Sequence, residues 1–411
     1  MRLKLLFKSK LARNTLIYGA TNAVYTGLPL ILLPFLISAL TPEDYGIVEL
    51  FRSFSLVLVP LLGLSAVQSI GRFYFDLPEK DFKTFVTSIQ VFQFCTMVAA
   101  ILVISFISTF LAPEDTILLY LAVLYFFFNQ VTESLLTVYR VKEEAIKYLY
   151  LRTANIVLEL MLMAIVYWVF HTNDWMLRVF PIVIASIGIG GVSLVLFKAE
   201  GYRISFSKEL ISKALTYSAP LVVHMLSGYV LNIGDRFIIK VFLPAEALGN
   251  YAAAYQSGMA ISFFYTSFNL AWTPTFFKWM EEKRYREISR VRKMVYVSLC
   301  TLGIIVAFLW FIVFPLIDTE GKYNVSMEVV LLVLVSYIIL SFYKFEANYF
   351  LYTKETKKLS VYTMISAVIS VLLNLLLIPL IGILGAALST LASFVSIYLL
   401  ILLNKKHVKE N

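Results

Sequence analysis

Residues 278–316 read KWMEEKRYREISRVRKMVYVSLCTLGIIVAFLWFIVFPL. The part at 278–293 holds seven Lys and Arg, and the 23 residues that follow hold no charged side chain. A bilayer-crossing helix needs about 20 mainly apolar residues, and cytoplasmic flanks carry an excess of Lys and Arg. This stretch therefore predicts a membrane-spanning helix that begins on the cytoplasmic side.

The same alternation of basic and apolar segments extends over the whole chain. Of its 411 residues, 60% are hydrophobic and 15% are charged, whereas a soluble domain carries about 25% charged residues. Apolar segments long enough to cross the bilayer occur near 15–40, 46–70, 85–111, 116–138, 149–170, 175–197, 214–238, 246–275, 294–316, 326–349, 359–380 and 382–403. The sequence therefore predicts an all-α polytopic membrane protein with twelve spans.

Lys and Arg fall mainly in every second gap between these spans. Thirty of the 35 lie in the segments 1–14, 71–84, 139–152, 198–213, 278–293, 344–358 and 404–411. The other gaps hold Arg178, Arg236, Lys240 and Lys322, and Arg52 lies inside span two. Because basic loops stay in the cytoplasm, both termini are predicted to be cytoplasmic. The net charge of +9 reflects this topology, and no nucleic-acid partner is expected.

The two halves of the chain follow one plan. The sequence TPEDYG at 41–46 is similar to LPAEALG at 243–249, and GRFY at 71–74 falls opposite PTFF at 274–277. Gly46 and Gly249 are 203 residues apart, and so are Gly71 and Pro274. Six spans in each half would make the repeat parallel, with a substrate route at the interface. We therefore expect two six-helix bundles, 1–205 and 206–411, related by a pseudo-two-fold axis along the membrane normal.

Several short motifs resemble those of the bacterial oligosaccharide and polysaccharide flippases. They are LTPEDYG at 40–46, LTYSAP at 215–220, NIGDRF at 232–237, AAY at 253–255, AWTP at 271–274 and GILGAAL at 382–388. The resemblance implies the two-bundle fold of the multidrug and toxic-compound extrusion transporters. It also implies a task, which is to move undecaprenyl-diphosphate-linked oligosaccharide to the outer leaflet of the bacterial inner membrane.

In that setting the product would be O-antigen, capsule or exopolysaccharide. The implied partners are the lipid-linked oligosaccharide, membrane lipids, a polysaccharide polymerase and a chain-length regulator, and no cofactor is implied.

A polar head group that crosses a bilayer needs polar side chains at bilayer depth. An ionisable residue there costs about 2.5–3.5 kcal/mol and usually faces a cavity or a partner. Arg52 is the leading candidate, because a guanidinium can bind a diphosphate through two hydrogen bonds. Glu49 lies three residues earlier on the same helical face. It is a second candidate for substrate binding, and a local ion pair between Glu49 and Arg52 is the competing interpretation.

Span four carries a polar face. Asn129, Glu133, Thr137 and Arg140 follow one another at steps of four, four and three residues, which places them on one side of a helix. Such a face either lines a cavity or packs against a neighbouring helix, because it cannot comfortably face lipid. We expect Asn129 and Glu133 to contact substrate.

Four further residues are candidates for substrate binding or ion coupling. Asn22 lies on a polar face of span one, and Gln256 in span eight could bind sugar hydroxyls. His224 in span seven could relay protons or simply pack, and Glu159 in span five could couple an ion, as could Glu133. By contrast, Asp235 with Arg236 is interpreted as a structural pair, and Lys344 with Glu346 as residues of the membrane interface.

Other functions compete with the flippase interpretation. A cation-coupled drug or metabolite exporter could share the fold, but span one lacks the carboxylate expected of one. A membrane polysaccharide polymerase would need catalytic groups in a sizeable outer loop, and the outer gaps are short. The sequence has no GxxxxGK[ST] phosphate loop, so ATP hydrolysis is not expected. The chain is therefore predicted to be a transporter and not an enzyme.

Overall fold

The computed structural model describes residues 10–110 and 112–405, and in these residues the regular structure is helical throughout. We number the α-helices α1 Lys10–Ala39, α2 Pro42–Leu62, α3 Val67–Phe73, α4 Glu79–Ile107, α5 Pro113–Val141, α6 Ala145–Phe170, α7 Met176–Ala199, α8 Lys208–Phe242, α9 Ala245–Glu281, α10 Tyr285–Ile317, α11 Met327–Tyr352, α12 Thr356–Ile381 and α13 Ile383–Asn404. Ser108–Phe110 forms a 3₁₀ turn after α4. The two chain ends, which are predicted to be cytoplasmic, lie outside the described residues.

Eleven of the described helices are long and apolar enough to cross a membrane. Their outward faces are strongly hydrophobic, as α10 illustrates with Ile304, Phe308 and Phe311, all of which are exposed. These three residues are spaced by four and three, so they form one apolar stripe along the helix. The protein is therefore an integral membrane protein with an all-helical fold.

The predicted eighth span is the exception. It forms α9, a helix of 37 residues, but this helix is not among those apolar enough to be identified as spanning. Its middle carries Gln256, Ser262, Thr266, Asn269 and Thr273, and these polar side chains lower its mean hydropathy. The number of crossings, predicted to be twelve, therefore stays a prediction. The eighth helix is present, but it is too polar to be identified as a span by its hydropathy.

Local sequence signals explain several helix ends. The Oγ1 of Thr41 accepts a hydrogen bond from the backbone N–H of Asp44 at 3.2 Å, and Pro42 occupies the first helical position of α2. This arrangement satisfies an N–H group that a helix start would otherwise leave unpaired. Gly382, with φ of 65°, separates α12 from α13, a backbone conformation that residues with a Cβ adopt with strain.

Packing divides the chain into two compact units. The first unit comprises the described residues up to Leu28 together with Leu50–Leu226. The second unit comprises Pro29–Glu49 together with the described residues from Ser227 onward. These units are defined by contacts, whereas the predicted halves 1–205 and 206–411 are defined by the sequence repeat. That repeat stays a prediction.

The first unit packs around aromatic and branched side chains of α4 and α5. Phe85, Ile89, Phe126 and Val131 are essentially fully buried. A Cβ at Gly190 of α7 would lie 2.8 Å from the side chain of Phe128 on α5, so the absence of a side chain lets these two helices approach closely. Close packing of this kind holds membrane helices together where lipid offers no hydrophobic driving force.

In the second unit, glycines bring two helix pairs into close contact. A Cβ at Gly258 of α9 would overlap the ring of Tyr337 on α11. At the start of α9, a Cβ at Gly249 would overlap the carbonyl group of Pro42, and a Cβ at Gly46 would lie 2.9 Å from the backbone N of Gly249. Gly46 and Gly249 occupy equivalent positions of the predicted repeat, and they contact each other within this unit.

Glu200, which lies outside the spans, links the α7–α8 connection to the end of α5 and the start of α6 in the first unit. The carboxylate of Glu200 lies 3.0 Å from Nζ of Lys142 and 3.2 Å from Nζ of Lys147. Partial burial raises the pKa of Glu200, but the hydrogen bonds and charges of the two lysines outweigh it, so the pKa is lowered overall. The carboxylate therefore stays ionised at neutral pH and pairs with both lysines.

Candidate functional site

The first unit holds a charged pair inside its spans. Nη1 of Arg152 on α6 lies 2.8 Å from Oε1 of Glu133 on α5, and their side chains are 5% and 30% exposed. The guanidinium also sits 4.1 Å from the centre of the Tyr25 ring, a favourable cation–π geometry. Glu133 lies eight residues before the end of α5, or about 12 Å along the axis at about 1.5 Å per residue. It is thus a partly accessible carboxylate well inside a span.

The predicted polar face of span four extends from this pair in both directions along α5. Asn129 is half-buried and Thr137 is buried. Arg140, which is exposed, donates a hydrogen bond from Nη2 to Oγ1 of Thr137 at 3.1 Å. Asn129 and Glu133 therefore keep some accessible surface. Their predicted contact with substrate is compatible with this placement and stays a prediction.

Arg152 was not among the predicted site residues, because the charge count assigned it to a loop. Its Nε is buried and has no hydrogen-bond partner among the described residues. The pairing of Arg152 with Glu133 could have been predicted from the sequence. Glu133 and Arg152 lie at similar distances before and after the turn at 142–144, and residues so placed in an antiparallel helix pair lie at similar depth.

A second pair in the first unit is more deeply buried. Nη1 of Arg178 on α7 lies 2.5 Å from Oε1 of Glu159 on α6, and the two side chains are 7% and 8% exposed. Arg178 was assigned to an outer gap, but it lies inside α7. Glu159 therefore has a close cationic partner in this structure. Its predicted role in ion coupling stays a prediction.

The second unit contains a buried polar network around Arg236 of α8. The Nε atom of Arg236 lies 3.6 Å from Oε2 of Glu49, and its guanidinium lies 4.5 Å from the centre of the Tyr255 ring. Nε2 of Gln256 donates to Oη of Tyr45 at 3.1 Å and to Oε1 of Glu49 at 3.5 Å. Two predicted site residues, Glu49 and Gln256, are thus brought together.

The network continues through the predicted structural pair. Oη of Tyr251 donates to Oδ2 of Asp235 at 2.5 Å, and Oγ1 of Thr390 on α13 donates to the same oxygen at 3.5 Å. Nη1 of Arg236 lies 3.5 Å from Oδ1 of Asp235. Asp235 and Arg236 are both buried. Their hydrogen bonds join α8, α9 and α13, which agrees with the interpretation of a structural pair.

Three other predicted site residues lie on α1, α2 and α8. Arg52 is half-buried on α2, three residues beyond Glu49. Asn22 on α1 is exposed, and so is His224 on α8. An exposed histidine in a span can meet protons or a ligand. The roles of these three residues stay predictions.

A polar stripe on α9 was missed by the sequence analysis, apart from Gln256. Ser262, Thr266, Asn269 and Thr273 follow at steps of four, three and four residues, so they share one helical face. All four are half-buried or exposed. The spacing of these four residues was sufficient to predict the stripe, since the same criterion identified the polar face of span four.

Lys344 and Asn348 of α11 face this stripe. Nζ of Lys344 donates to Oγ of Ser262 at 3.4 Å. Nδ2 of Asn348 donates to Oδ1 of Asn269 at 2.9 Å, and Oγ1 of Thr273 donates to Oδ1 of Asn348 at 3.0 Å. Lys344 lies eight residues before the end of α11, and its predicted position at the membrane interface stays a prediction.

Glu346, two residues from Lys344, belongs to a different cluster. Its carboxylate lies 2.5 Å from Nζ of Lys405 and accepts a hydrogen bond from Oη of Tyr296 at 2.9 Å. Arg292 near the start of α10 lies 3.8 Å away. The predicted position of Glu346 near the interface stays a prediction.

An apolar cavity of about 460 Å³ lies between α9 and α10. Its walls include Phe264, Tyr265, Phe268 and Trp272 of α9 and Met294 and Leu299 of α10. Such a lining suits hydrocarbon and offers few partners for sugar or phosphate. Among the described residues, no three His, Cys, Asp or Glu side chains come together in a group that could hold a metal ion.

Comparison with known proteins identifies relatives over most of the chain. Residues 11–280 match the family described as "Polysaccharide biosynthesis protein". The Lsg locus putative protein 1 of Haemophilus influenzae is 21% identical over 308 residues, which cover 74% of this chain and 75% of that protein. A membrane protein of the same organism is 21% identical over 350 residues, with 83% of each chain covered.

Solved structures resemble the fold at low sequence identity. The lipid II flippase MurJ in an inward closed conformation superposes with a TM-score of 0.73 at 13% identity and covers 92% of this chain and 86% of its own. An inward-facing multidrug resistance transporter of the MATE family gives a TM-score of 0.70 at 14% identity, with 95% and 93% covered. The chain therefore has a fold like those of MurJ and the MATE transporters.

Proposed function

The chain belongs to the polysaccharide biosynthesis protein family, and from that membership we propose that it is a flippase for lipid-linked oligosaccharide. Its substrate is an oligosaccharide on undecaprenyl diphosphate, which it moves from the cytoplasmic to the outer leaflet of a bacterial inner membrane. Both chain ends lie in the cytoplasm, as the distribution of Lys and Arg favours. The sugars serve surface polysaccharide synthesis, as O-antigen, capsule or exopolysaccharide.

The observation that carries this proposal is the pair formed by Glu133 and Arg152. A carboxylate that is 30% exposed inside a spanning helix costs free energy unless it meets water, a ligand or a partner. Arg152 offers one contact and retains a buried Nε without a partner among the described residues. A wet, polar surface at bilayer depth is what a hydroxylated, anionic head group requires during its passage.

Arg52 on α2 is a further candidate for substrate contact. We propose that its guanidinium binds the diphosphate, since it presents donors in a fork that matches phosphate oxygens. Asn22, Asn129 and Gln256 provide amides for sugar hydroxyls, and His224 is a further polar contact. Transport proceeds by alternating access, in which the substrate surface opens to one leaflet and then to the other. A polymerase and a chain-length regulator act on the product afterwards.

The proposal is tested in cells that depend on this protein for surface polysaccharide. Arg52→Ala and Glu133→Gln should each abolish polysaccharide display at unchanged protein level, with lipid-linked oligosaccharide accumulating on the cytoplasmic leaflet. Arg203→Ala, which changes an exposed arginine between α7 and α8, is the matched control and should display normally.

Other outcomes would point to other functions. Accumulation of single oligosaccharide units on the outer leaflet would indicate a polymerase. Normal display in the depleted strain, together with increased sensitivity to cationic drugs, would indicate an exporter. Either result would overturn the flippase proposal.

A further inference from the structure

The polar stripe on α9 and the facing residues of α11 form a continuous row of hydrogen-bonding groups in the second unit. It begins at Ser262 with Lys344 and ends at Asn269 with Asn348. Seven residues separate Ser262 from Asn269, which corresponds to about 10 Å at about 1.5 Å per residue. The exposed hydroxyl of Thr266 lies between them on the same face.

Lys344 has an unusual environment for a cation inside a span. Arg152, Arg178 and Arg236 each have a carboxylate within 3.6 Å. No carboxylate lies within ion-pair distance of Lys344 among the described residues, where the one hydrogen bond of its ammonium group is to the neutral hydroxyl of Ser262. An ammonium group has three donors, so two remain for a ligand. A cation in a membrane span that is not paired marks a functional site.

Asn269 adds a second free donor to the row. Its Oδ1 accepts hydrogen bonds from Oη of Tyr265 at 3.2 Å and from Nδ2 of Asn348 at 2.9 Å. These two bonds fix the orientation of the amide, because both donors require an oxygen. Its Nδ2 makes no hydrogen bond to another described residue, and the side chain is half-buried. A rigidly held N–H donor is thus presented beside the stripe.

We infer that this row, with Lys344 at one end and Asn269 at the other, is a binding site for the diphosphate of a lipid and the sugar attached to it. The inference rests on the proposed function and adds residues to it. Lys344 supplies the charge that compensates the diphosphate, and Thr266 and Asn269 donate to its remaining oxygens or to sugar hydroxyls. The length of the row, about 10 Å by helix geometry, suits a diphosphate with one sugar and exceeds what a single phosphate would use.

The apolar cavity beside the row supports an amphipathic ligand. Tyr265 belongs to its wall and also donates to Asn269. Helix α9 therefore lines an apolar cavity with one face and carries hydrogen-bond donors for a phosphate on the adjacent face. A lipid diphosphate has both chemical characters, whereas inorganic diphosphate has only one.

The test measures binding of a polyprenyl diphosphate to the purified full chain in lipid nanodiscs, with the uncharged polyprenol and inorganic diphosphate as comparison probes. Lys344→Met should bind the polyprenyl diphosphate about 10- to 100-fold more weakly, as expected on loss of one hydrogen bond from a charged group. Its binding of polyprenol should not change. Lys344→Arg, which keeps the charge, should restore most of the affinity. Thermal unfolding of each variant confirms that it is folded.

Lys278→Met is the matched control, because Lys278 lies at the exposed end of α9 and pairs with Glu282. It should bind as the parent protein does. Equal affinity of Lys344→Met and the parent for polyprenyl diphosphate would overturn the site and leave the flippase proposal standing. Binding that depends on Lys344, in a protein whose depletion leaves lipid-linked oligosaccharide correctly on the outer leaflet, would overturn the flippase proposal and leave the site standing.

Discussion

Arg178 and Glu159 form a buried ion pair in which each charge compensates the other. Each side chain is less than 10% exposed, and the charged atoms are 2.5 Å apart. Removing one charge from the interior leaves the other without compensation, which costs about 3–5 kcal/mol in buried pairs. Removing both charges and keeping the volume is often neutral or stabilising. The pair can therefore be a structural element without being a source of net stability.

We expect Arg178→Met to lower the free energy of unfolding by about 3–5 kcal/mol and the double variant Arg178→Met with Glu159→Met to recover most of that loss. The measurement is equilibrium unfolding in mixed detergent micelles. Lys358→Met is the control, since its pair with Glu355 is exposed and worth about 0–1 kcal/mol. A double variant as unstable as the single one would show that Glu159 is not the group left uncompensated.

The sequence identified two acids in the spans of the first unit but not their partners. Glu133 and Glu159 were recognised as unusual because each lies among apolar residues. Their partners Arg152 and Arg178 were assigned to gaps between spans, because a count of Lys and Arg per gap treats every cation near a helix end as a topology signal. Which helix supplies a counter-charge depends on tertiary packing, and a single sequence contains little information about that packing beyond adjacent helix pairs such as α5 and α6.

At the scale of the helix, two helices can approach closely where one of them carries a glycine, because it has no side chain. Gly258 on α9 leaves room for the ring of Tyr337 on α11, and the two helices also meet through Asn269 and Asn348. If α9 and α11 were pushed apart at Gly258, the distances between their polar groups would change as well. Packing at one end of this helix pair therefore influences the proposed diphosphate site.

We expect Gly258→Ala to destabilise the protein by about 1–3 kcal/mol, because the added methyl group overpacks a filled contact. Gly228→Ala on α8 is the matched control, since a Cβ there meets nothing within 4 Å. In that helix interior, alanine should be neutral or stabilising by about 0.5–1 kcal/mol. Thermal unfolding in detergent compares the two. Equal changes in stability at both positions would show that α9 and α11 are not closely packed at Gly258.

Helix positions were largely predictable, and the environment of α9 was not. Long apolar runs must form helices in a bilayer because their backbone groups have no other partner, so most predicted spans coincide with observed helices. The polar face of α9 was overlooked because Ser, Thr and Asn are individually unremarkable in a span. Their common face, and the lysine opposite them on α11, become significant only when the two helices are seen side by side.

For the molecule as a whole, the grouping of helices departs from chain order. Pro29–Glu49 packs with the residues that follow Ser227, through contacts such as Gly46 with Gly249 and Glu49 with Arg236. The predicted repeat pairs the first two of these residues by position but does not imply that they touch. The predicted repeat also depends on the number of crossings, because a parallel repeat requires an even number of spans in each half.

Whether α9 crosses the bilayer decides that number. In a variant with Cys95 and Cys300 replaced by Ser, we expect Glu246→Cys at the start of α9 to react with a membrane-impermeant thiol reagent in intact spheroplasts. Lys278→Cys at its end should react only after permeabilisation. Glu328→Cys and Lys358→Cys, which flank α11 and α12, are the outer and inner references, and all four positions are exposed. Reaction of both α9 positions from the same side would mean that α9 does not cross, that the spans number eleven, and that the two halves cannot form a parallel repeat.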